Sequence, residues 1–204
     1  TSLHFRLGLA MLDRRLSPTA IAQGLAAIAC GVLERVLELA LADAVRSYGW
    51  PEGAGLDHSG LALIGYGSLG AGELGFASDL DLVFLVANAL CARESQGPSP
   101  IDGQPFYART VQKLIAYLAV PLPAGRLYEI DARLRPDGAK GLLVTSLDGY
   151  AAYQRERAWT WEQQALVRAR FVAGDRALGE QFGELRSKAL AQVRDRDSLR
   201  VAVA

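Results

Sequence analysis

The sequence predicts an α+β protein in which a small mixed β-sheet with its helices is flanked by helical segments. Two observations carry this prediction. Apolar residues recur every three or four positions through most of residues 17–48, and two short apolar runs, 61–64 and 80–86, follow close together. The 204 residues, 50% hydrophobic and 22% charged, are typical of a globular protein large enough to bury a core. This composition excludes disordered, collagen-like and coiled-coil classes.

The first long helix is predicted to begin at Ser17-Pro18, a capping residue followed by proline at the first helical position. It is expected to end near Tyr48, before the breaker-rich residues 49–53. Four polar residues interrupt its apolar stretch, so it is interpreted as a buried helix and not as a membrane span. They are Gln23, Glu34, Arg35 and Glu38. Residues 1–58 form the predicted N-terminal helical segment.

A mixed unit over residues 59–145 is predicted next. A strand at 61–64 runs into the glycine-rich residues 65–72, and a second strand follows at 80–86. Residues 88–103 are predicted as a loop, and an amphipathic helix after them is expected to end before Pro121. Beyond Gly125, a third strand is expected at 127–133.

Residues 146–204 are predicted to be a second helical segment. Apolar and aromatic residues take helical spacing from Ser146, and residues 181–200 are expected to form a helix rich in charge. Because the chain opens with Thr1 and its only methionine is Met11, it is expected to be part of a longer protein whose helical region continues.

Charge and cysteine content narrow the function and the compartment. Lysine plus arginine and aspartate plus glutamate each number 22, so a nucleic-acid binder, which needs a basic surface, is disfavoured. Two cysteines are too few for the disulfide framework of a small secreted domain, and the sequence contains no typical signal peptide. A cytoplasmic protein with no membrane segment is therefore expected.

The most informative motif is the glycine-rich turn followed by two acids, Asp79 and Asp81. Alternate residues of a strand share a face, so these two carboxylates are expected to point the same way, with Cα atoms roughly 6.6 Å apart. Paired carboxylates suit Mg²⁺, which usually binds proteins through one or two acids together with substrate phosphates. In the turn, Gly67 lets backbone amides approach a phosphate, and Ser68 adds a hydroxyl donor.

A third acid follows from the same alternation in the predicted strand at 127–133. It places Glu129, Asp131, Arg133 and, beyond the strand, Arg135 on one face. If this strand lies beside 80–86, Asp131 completes a site for two metal ions and acts as the base for an attacking hydroxyl. Arg133 or Arg135 would then offset phosphate charge. The reaction implied is in-line nucleotidyl transfer.

Other interpretations compete at several positions. The glycine spacing also fits a dinucleotide fingerprint, but the helix and acid of that motif do not follow it. An isolated Asp-x-Asp pair is usually a solvated loop, or a metal clamp in some glycosyltransferases. Trp159 and Trp161 are expected to pack between helices in preference to stacking on a base. Surface ion pairing is expected of a small set of charged residues: Glu129, Arg155, Arg157, Arg168 and Arg170.

The turn and the paired acids resemble the polymerase-β-like nucleotidyltransferase superfamily. Longer blocks at 65–82, 128–136 and 158–166 are similar to the bifunctional glutamine synthetase adenylyltransferase/adenylyl-removing enzyme family, and most of all to its C-terminal, adenylyl-attaching half. The resemblance implies a polymerase-β-like catalytic core over 59–145. It also implies metal-binding roles for Asp79, Asp81 and Asp131. The family usually has lysine where this chain has Ser68.

The same resemblance implies an activity. The expected reaction transfers AMP from ATP to a tyrosine of glutamine synthetase, with two Mg²⁺ ions, under control by glutamine and the PII signalling protein. Two alternatives stay open: the phosphorolytic, adenylyl-removing half of the same enzyme, and a non-catalytic sensor or docking module. Three acids aimed at one point argue against the module, because such a cluster costs stability without cations.

Overall fold

The computed structural model describes residues 2–121 and 127–191. Two helices make up most of the chain before residue 50. α1 is Ser2–Leu12 and α2 is Pro18–Tyr48. The predicted start of α2 is confirmed, because the Ser17 side chain accepts a hydrogen bond from the Ala20 amide at 3.1 Å. α2 ends at Tyr48, since Gly49 has φ +72° and cannot continue the helix.

Five strands form one mixed sheet. The strands are β1 (Leu61–Gly65), β2 (Leu80–Val86), β3 (Ile130–Asp131), β4 (Val144–Ser146) and β5 (Arg170–Gly174). Their order is β3-β2-β1-β5, and β4 pairs with β2 as well. β1 is antiparallel to both β2 and β5, whereas β3 and β4 are parallel to β2. This sheet and its helices confirm the predicted α+β class and are consistent with a nucleotidyltransferase-like core.

The remaining helices connect these strands. They are α3 (Gly67–Ala71), α4 (Gly103–Ala119), α5 (Leu147–Glu156), α6 (Thr160–Ala165) and α7 (Arg176–Leu190). The Ser146 side chain caps α5 by accepting from the Gly149 amide at 3.1 Å, as the predicted helix start requires. The predicted charged helix at 181–200 overlaps α7. Its residues from 192 onward, like Gly125, lie outside the described residues.

Two predictions of local structure are wrong. The third strand was expected at 127–133, but β3 covers only two residues because the Asp131 carboxylate accepts the Arg133 amide at 2.8 Å and turns the chain. Residues 146–204 were expected to be helical, yet β5 lies within them and pairs with β1. β5 begins with Arg170 and ends at Gly174, so only three apolar residues lie between them, too few to separate a strand from a helix by periodicity.

The alternation along β2 decides what lies on each face of the sheet. Leu82, Phe84 and Val86 join the apolar cluster that contains the buried sides of α2 and α4. Val83 and Leu85 join the cluster that contains α5 and α7. Asp81 has the same parity as Val83, so its side chain lies on the α5/α7 face, at the end where β2 begins.

No helix within residues 2–121 and 127–191 has both the length and the apolar character that crossing a membrane requires.

Candidate active site

Two of the predicted acids are brought side by side by the pairing of β2 with β3. Asp81 lies opposite Asp131 in the parallel register, and the Leu80 amide donates to the Glu129 carbonyl at 2.9 Å just before that pair. Side chains opposite each other on neighbouring strands share a face. Asp79 is exposed and lies two residues before Asp81, immediately ahead of β2. The chain therefore gathers the three predicted acids at one end of the sheet.

The two neighbouring carboxylates have opposite electrostatic environments. Partial burial raises the pKa of Asp81, and the nearby charges of Asp131 and Asp79 raise that pKa further. Hydrogen bonds from Arg133 lower the pKa of Asp131. The Arg133 Nε atom donates to both oxygens of that carboxylate, at 3.0 and 2.8 Å. Of this pair, Asp131 is thus the carboxylate that the protein stabilises in its charged form, and Asp81 is the one that it does not.

The glycine-rich turn lies directly against Asp81. Gly67 begins α3 with φ +53°, and a Cβ atom built there would lie 2.3 Å from the Asp81 Oδ2 atom. The adjacent Tyr66 amide donates to the Asp81 carbonyl at 2.9 Å. Only glycine combines this backbone conformation with so close an approach. Ser68, the other residue predicted to hold phosphate, follows at the next position and is half-buried.

The two predicted arginines have different surroundings. Arg133 contacts Asp131, so it lies at the acids. The Arg135 guanidinium donates to the backbone carbonyls of Ala132 and Ala139, and these bonds hold the turn that follows β3. A phosphate-binding role for Arg135 stays a prediction. In the structure, its guanidinium stabilises the turn after β3.

The carboxylate-rich end of β2 fits Mg²⁺ by its donor chemistry, because this ion prefers oxygen ligands. Burial is the main cause of the raised pKa of Asp81, and the negative charges of Asp131 and Asp79, which a divalent cation would offset, raise it further. Nevertheless, within the part of the chain that the structure describes, no three His, Cys, Asp or Glu side chains are gathered closely enough to hold a metal ion. As placed, the Asp131 carboxylate is bound to Arg133.

The expectation that Trp159 and Trp161 pack between helices is wrong. Both indoles are exposed, and they line a cavity of about 340 Å³ together with Arg133 and Arg157. The buried positions of this region are taken by Glu162 and by Leu166, which directly follows α6. Glu162 caps the start of α6 by accepting a hydrogen bond from the Trp159 amide at 2.8 Å, and both indoles lie outside the helix packing.

The predicted ion pairing of the arginine face is confirmed for three of its members. Arg155 pairs with Glu156, Arg157 with Asp137 and Arg168 with Glu73. Arg170 instead donates to the Leu69 carbonyl, at 3.3 Å from Nε and 3.1 Å from a terminal nitrogen. The Arg170 contact connects β5 to α3, and the Arg168 pair connects the residues before β5 to Glu73, which follows α3.

Comparison with known proteins gives a consistent result. Residues 1–185 match the family described as glutamate-ammonia ligase adenylyltransferase. The chain is 50% identical over 194 residues to a protein of Xanthomonas campestris pv. campestris and, likewise, to one of Stenotrophomonas maltophilia. Each match covers 95% of this chain and 20% of the relative. A protein of Methylococcus capsulatus is 47% identical over 175 residues, with 84% of this chain and 18% of the relative covered. All three are named bifunctional glutamine synthetase adenylyltransferase/adenylyl-removing enzyme. The chain spans about a fifth of the length of these relatives.

Proposed function

This chain belongs to the glutamate-ammonia ligase adenylyltransferase family, and we propose that it transfers AMP from ATP to a tyrosine hydroxyl of glutamine synthetase. The relatives are named as enzymes with an adenylyl-attaching and an adenylyl-removing activity. The observation that carries the proposal is the register of Asp81 opposite Asp131, with Asp79 two residues before Asp81 and the Gly67 turn against them.

In this proposal Asp79, Asp81 and Asp131 hold Mg²⁺, two ions in all. When bound, the ions supply positive charge that lowers the pKa of the attacking hydroxyl and stabilises the departing pyrophosphate. The surroundings of Asp81 support this assignment, because burial and the neighbouring charges of Asp131 and Asp79 raise its pKa, and a bound cation would favour its ionised form. Arg133 is the counterion already present at Asp131.

The protein's own groups supply binding and proton transfer. The Gly67 turn and the Ser68 hydroxyl bind phosphate oxygens of ATP, since the glycine lets the backbone approach closely. Arg133 offsets charge on the transferring phosphate. An Asp131 carboxylate oxygen accepts the proton of the tyrosine hydroxyl. Serine at position 68 gives this turn a neutral hydrogen-bond donor where the family usually has lysine.

The adenylyl-removing reaction is the second candidate, because the relatives' name includes it. It would use the same acids while an orthophosphate oxygen attacks the phosphorus of the tyrosine-bound AMP; the bond from that phosphorus to the tyrosine oxygen breaks, which releases ADP and restores the tyrosine hydroxyl. Release of ADP from adenylylated glutamine synthetase by orthophosphate distinguishes this reaction from the attaching one. Within the proposal, glutamine and the PII protein are the effectors and the cytoplasm is the compartment. We place a non-catalytic docking module last, because binding alone gives no reason to gather three acids.

The direct test is transfer of α-labelled AMP to glutamine synthetase in the presence of Mg²⁺. Asp81→Asn and Asp79→Asn are each expected to lower the labelling rate by about 10²-fold to 10³-fold, the scale of removing one group that helps to stabilise a transition state. Asp57→Asn, at an exposed aspartate outside the site, is the matched control and should label like the parent. Retained labelling in both site variants, with unchanged circular dichroism, would refute the metal assignment. Absence of labelling by the parent would refute the activity.

A further inference from the structure

The exposed tryptophans are the main feature of this end of the molecule that the proposed chemistry leaves unused. Trp159 is 70% exposed and Trp161 is 55% exposed. The third tryptophan, Trp50, is half-buried and lies with its ring centroid 6.4 Å from that of Phe106. Large apolar side chains that are exposed next to each other are typical of a surface that binds a ligand or a partner.

A fixed turn presents these indoles. The buried Glu162 carboxylate accepts the Tyr153 hydroxyl at 2.8 and 3.0 Å and the Trp159 amide at 2.8 Å. The Gln163 side chain donates to the Gln154 carbonyl at 2.8 Å, which joins α6 to α5. A recognition surface held in one geometry before the ligand arrives loses less entropy on binding.

The cavity beside the indoles shares one lining residue, Arg133, with the predicted acid site. Arg133 lines this cavity of about 340 Å³ and also pairs with Asp131. On the other side, Arg157 is neutralised by Asp137. Both arginines of the cavity are therefore paired with carboxylates, and Arg133 is the one whose partner is a predicted metal-binding acid.

We propose that this cavity binds the adenine base of ATP, with Trp159 and Trp161 as its stacking surface. The inference rests on the proposed function, which brings ATP to the acids. A neutral base fits the aromatic part, and the phosphates then extend past Arg133 toward Asp131. Indoles stack on bases through their π-faces. A concave cavity of this volume is the size of a small-molecule site, whereas a protein partner would need about 800 Å² of surface.

The test uses tryptophan fluorescence of the full chain with Trp50→Phe, so that only the two cavity indoles report. Titration with Mg²⁺ and ATP, or with adenosine alone, is expected to quench the emission. Inorganic tripolyphosphate, which has phosphates and no base, is expected to leave it unchanged.

The second measurement is affinity by equilibrium dialysis. Trp159→Ala and Trp161→Ala should each raise the Kd for ATP by about 10-fold to 100-fold and leave the Kd for tripolyphosphate unchanged. Trp159→Phe, which keeps an aromatic face, should restore most of the affinity. Phe5→Ala, at an exposed aromatic residue of α1, is the matched control and should bind ATP like the parent.

The outcomes separate this inference from the function on which it rests. If the parent binds and transfers AMP while the tryptophan variants bind ATP normally, the base site is wrong and the activity stands. Equal loss of ATP and tripolyphosphate binding would make the indoles structural and overturn the base site. Quenching by a tyrosine peptide of glutamine synthetase and not by ATP would assign the cavity to the acceptor protein instead. If the parent binds neither ATP nor tripolyphosphate, both proposals fail.

Discussion

The two faces of the sheet are built from different kinds of contact. The face against α2 and α4 is mainly aliphatic, and Leu25, Leu33 and Leu37 of α2 are fully buried there. The buried hydroxyls of α4, those of Tyr107 and Thr110, donate to backbone carbonyls. On the face against α5 and α7, the Tyr66 and Tyr150 hydroxyls instead hydrogen-bond to each other. Asp81 projects on this second face. The contrast indicates that one face mainly stabilises the fold, while the other also fixes the surroundings of the acids.

The buried hydroxyl network consists of Tyr66, Tyr150 and Gln154. Its hydrogen bonds depend on the orientation of each group, whereas aliphatic packing depends mainly on shape. The Gln154 side chain donates to the Tyr150 hydroxyl at 3.1 Å, and Tyr66 immediately precedes the Gly67 turn. Burial raises the pKa of Tyr66 well above its usual range, so both phenols stay neutral across the physiological range. A buried polar network fixes orientation because each group left without a partner is costly. This network ties α5 to the residue that leads into the turn.

The largest expected effect on stability comes from the aliphatic face. Leu33→Ala should lower the free energy of unfolding by about 3 kcal/mol, because Leu33 is fully buried and the substitution leaves a cavity. Urea unfolding measures the loss, and AMP transfer by the folded fraction should change little. Leu39→Ala, on the exposed side of the same helix, is the control and should cost far less. A loss of transfer larger than the loss of folded protein would contradict the division between the faces.

A smaller loss of stability, with a larger effect on the site, is expected from the hydroxyl network. Tyr150→Phe should cost about 2 kcal/mol, because the Tyr66 hydroxyl and the Gln154 amide each lose a buried partner. AMP transfer should also fall, since Tyr66 leads into the Gly67 turn. Adding Tyr66→Phe tests the coupling: the double variant should lose less stability than the sum of the single variants. Additive losses would mean that the two phenols do not act as a pair.

Glu162→Gln tests the hydrogen bonds that hold the turn before α6, where Trp159 and Trp161 lie. It should lower the free energy of unfolding by about 1 kcal/mol. Glutamine keeps the shape of the side chain, but its amide nitrogen cannot accept the bonds that the carboxylate receives from Tyr153 and Trp159. Tryptophan emission should shift and the affinity for ATP should fall. Glu156→Gln, at an exposed glutamate of α5, is the matched control. Unchanged emission would show that Glu162 does not hold the indoles.

The elements found from the sequence have a clear local signal. α2 shows helical spacing, and β1 and β2 are short apolar runs on either side of the glycine-rich turn. Sequence reasoning also named Asp131 as a partner of Asp81 on the condition that their strands lie side by side, and β3 does pair with β2 in that register. It missed β5, which is short, and it misjudged the tryptophans.

The tryptophan error has a physical cause. Aromatic residues in a helical region are usually buried, but here a glutamate takes the buried position. That arrangement depends on the Tyr153 hydroxyl, nine residues earlier, as the partner of Glu162. A buried carboxylate is stable only when it has such partners. The pairing is set by the packing of α5 against α6, so the local sequence around the tryptophans does not contain it.

The smallest expected effect is a pH dependence of stability that differs in sign between the two neighbouring acids. The pKa of Asp81 is raised on folding, so its ionisation costs stability as the pH rises above the ordinary aspartate value. The pKa of Asp131 is lowered, so it contributes stability above that value and loses it as the pH falls through the folded pKa. Both sites are partly solvated and therefore screened by salt, which keeps the effects small.

Urea unfolding of Asp81→Asn and Asp131→Asn between pH 3 and pH 7, without divalent ions, measures this difference. Relative to the parent, Asp81→Asn should become more stable as the pH rises, and Asp131→Asn should become less stable. Both differences should shrink at high salt. If both variants shifted in the same direction, Arg133 would not hold Asp131 in solution. The two carboxylates would then share one environment, and the protein would stabilise neither charge in preference to the other.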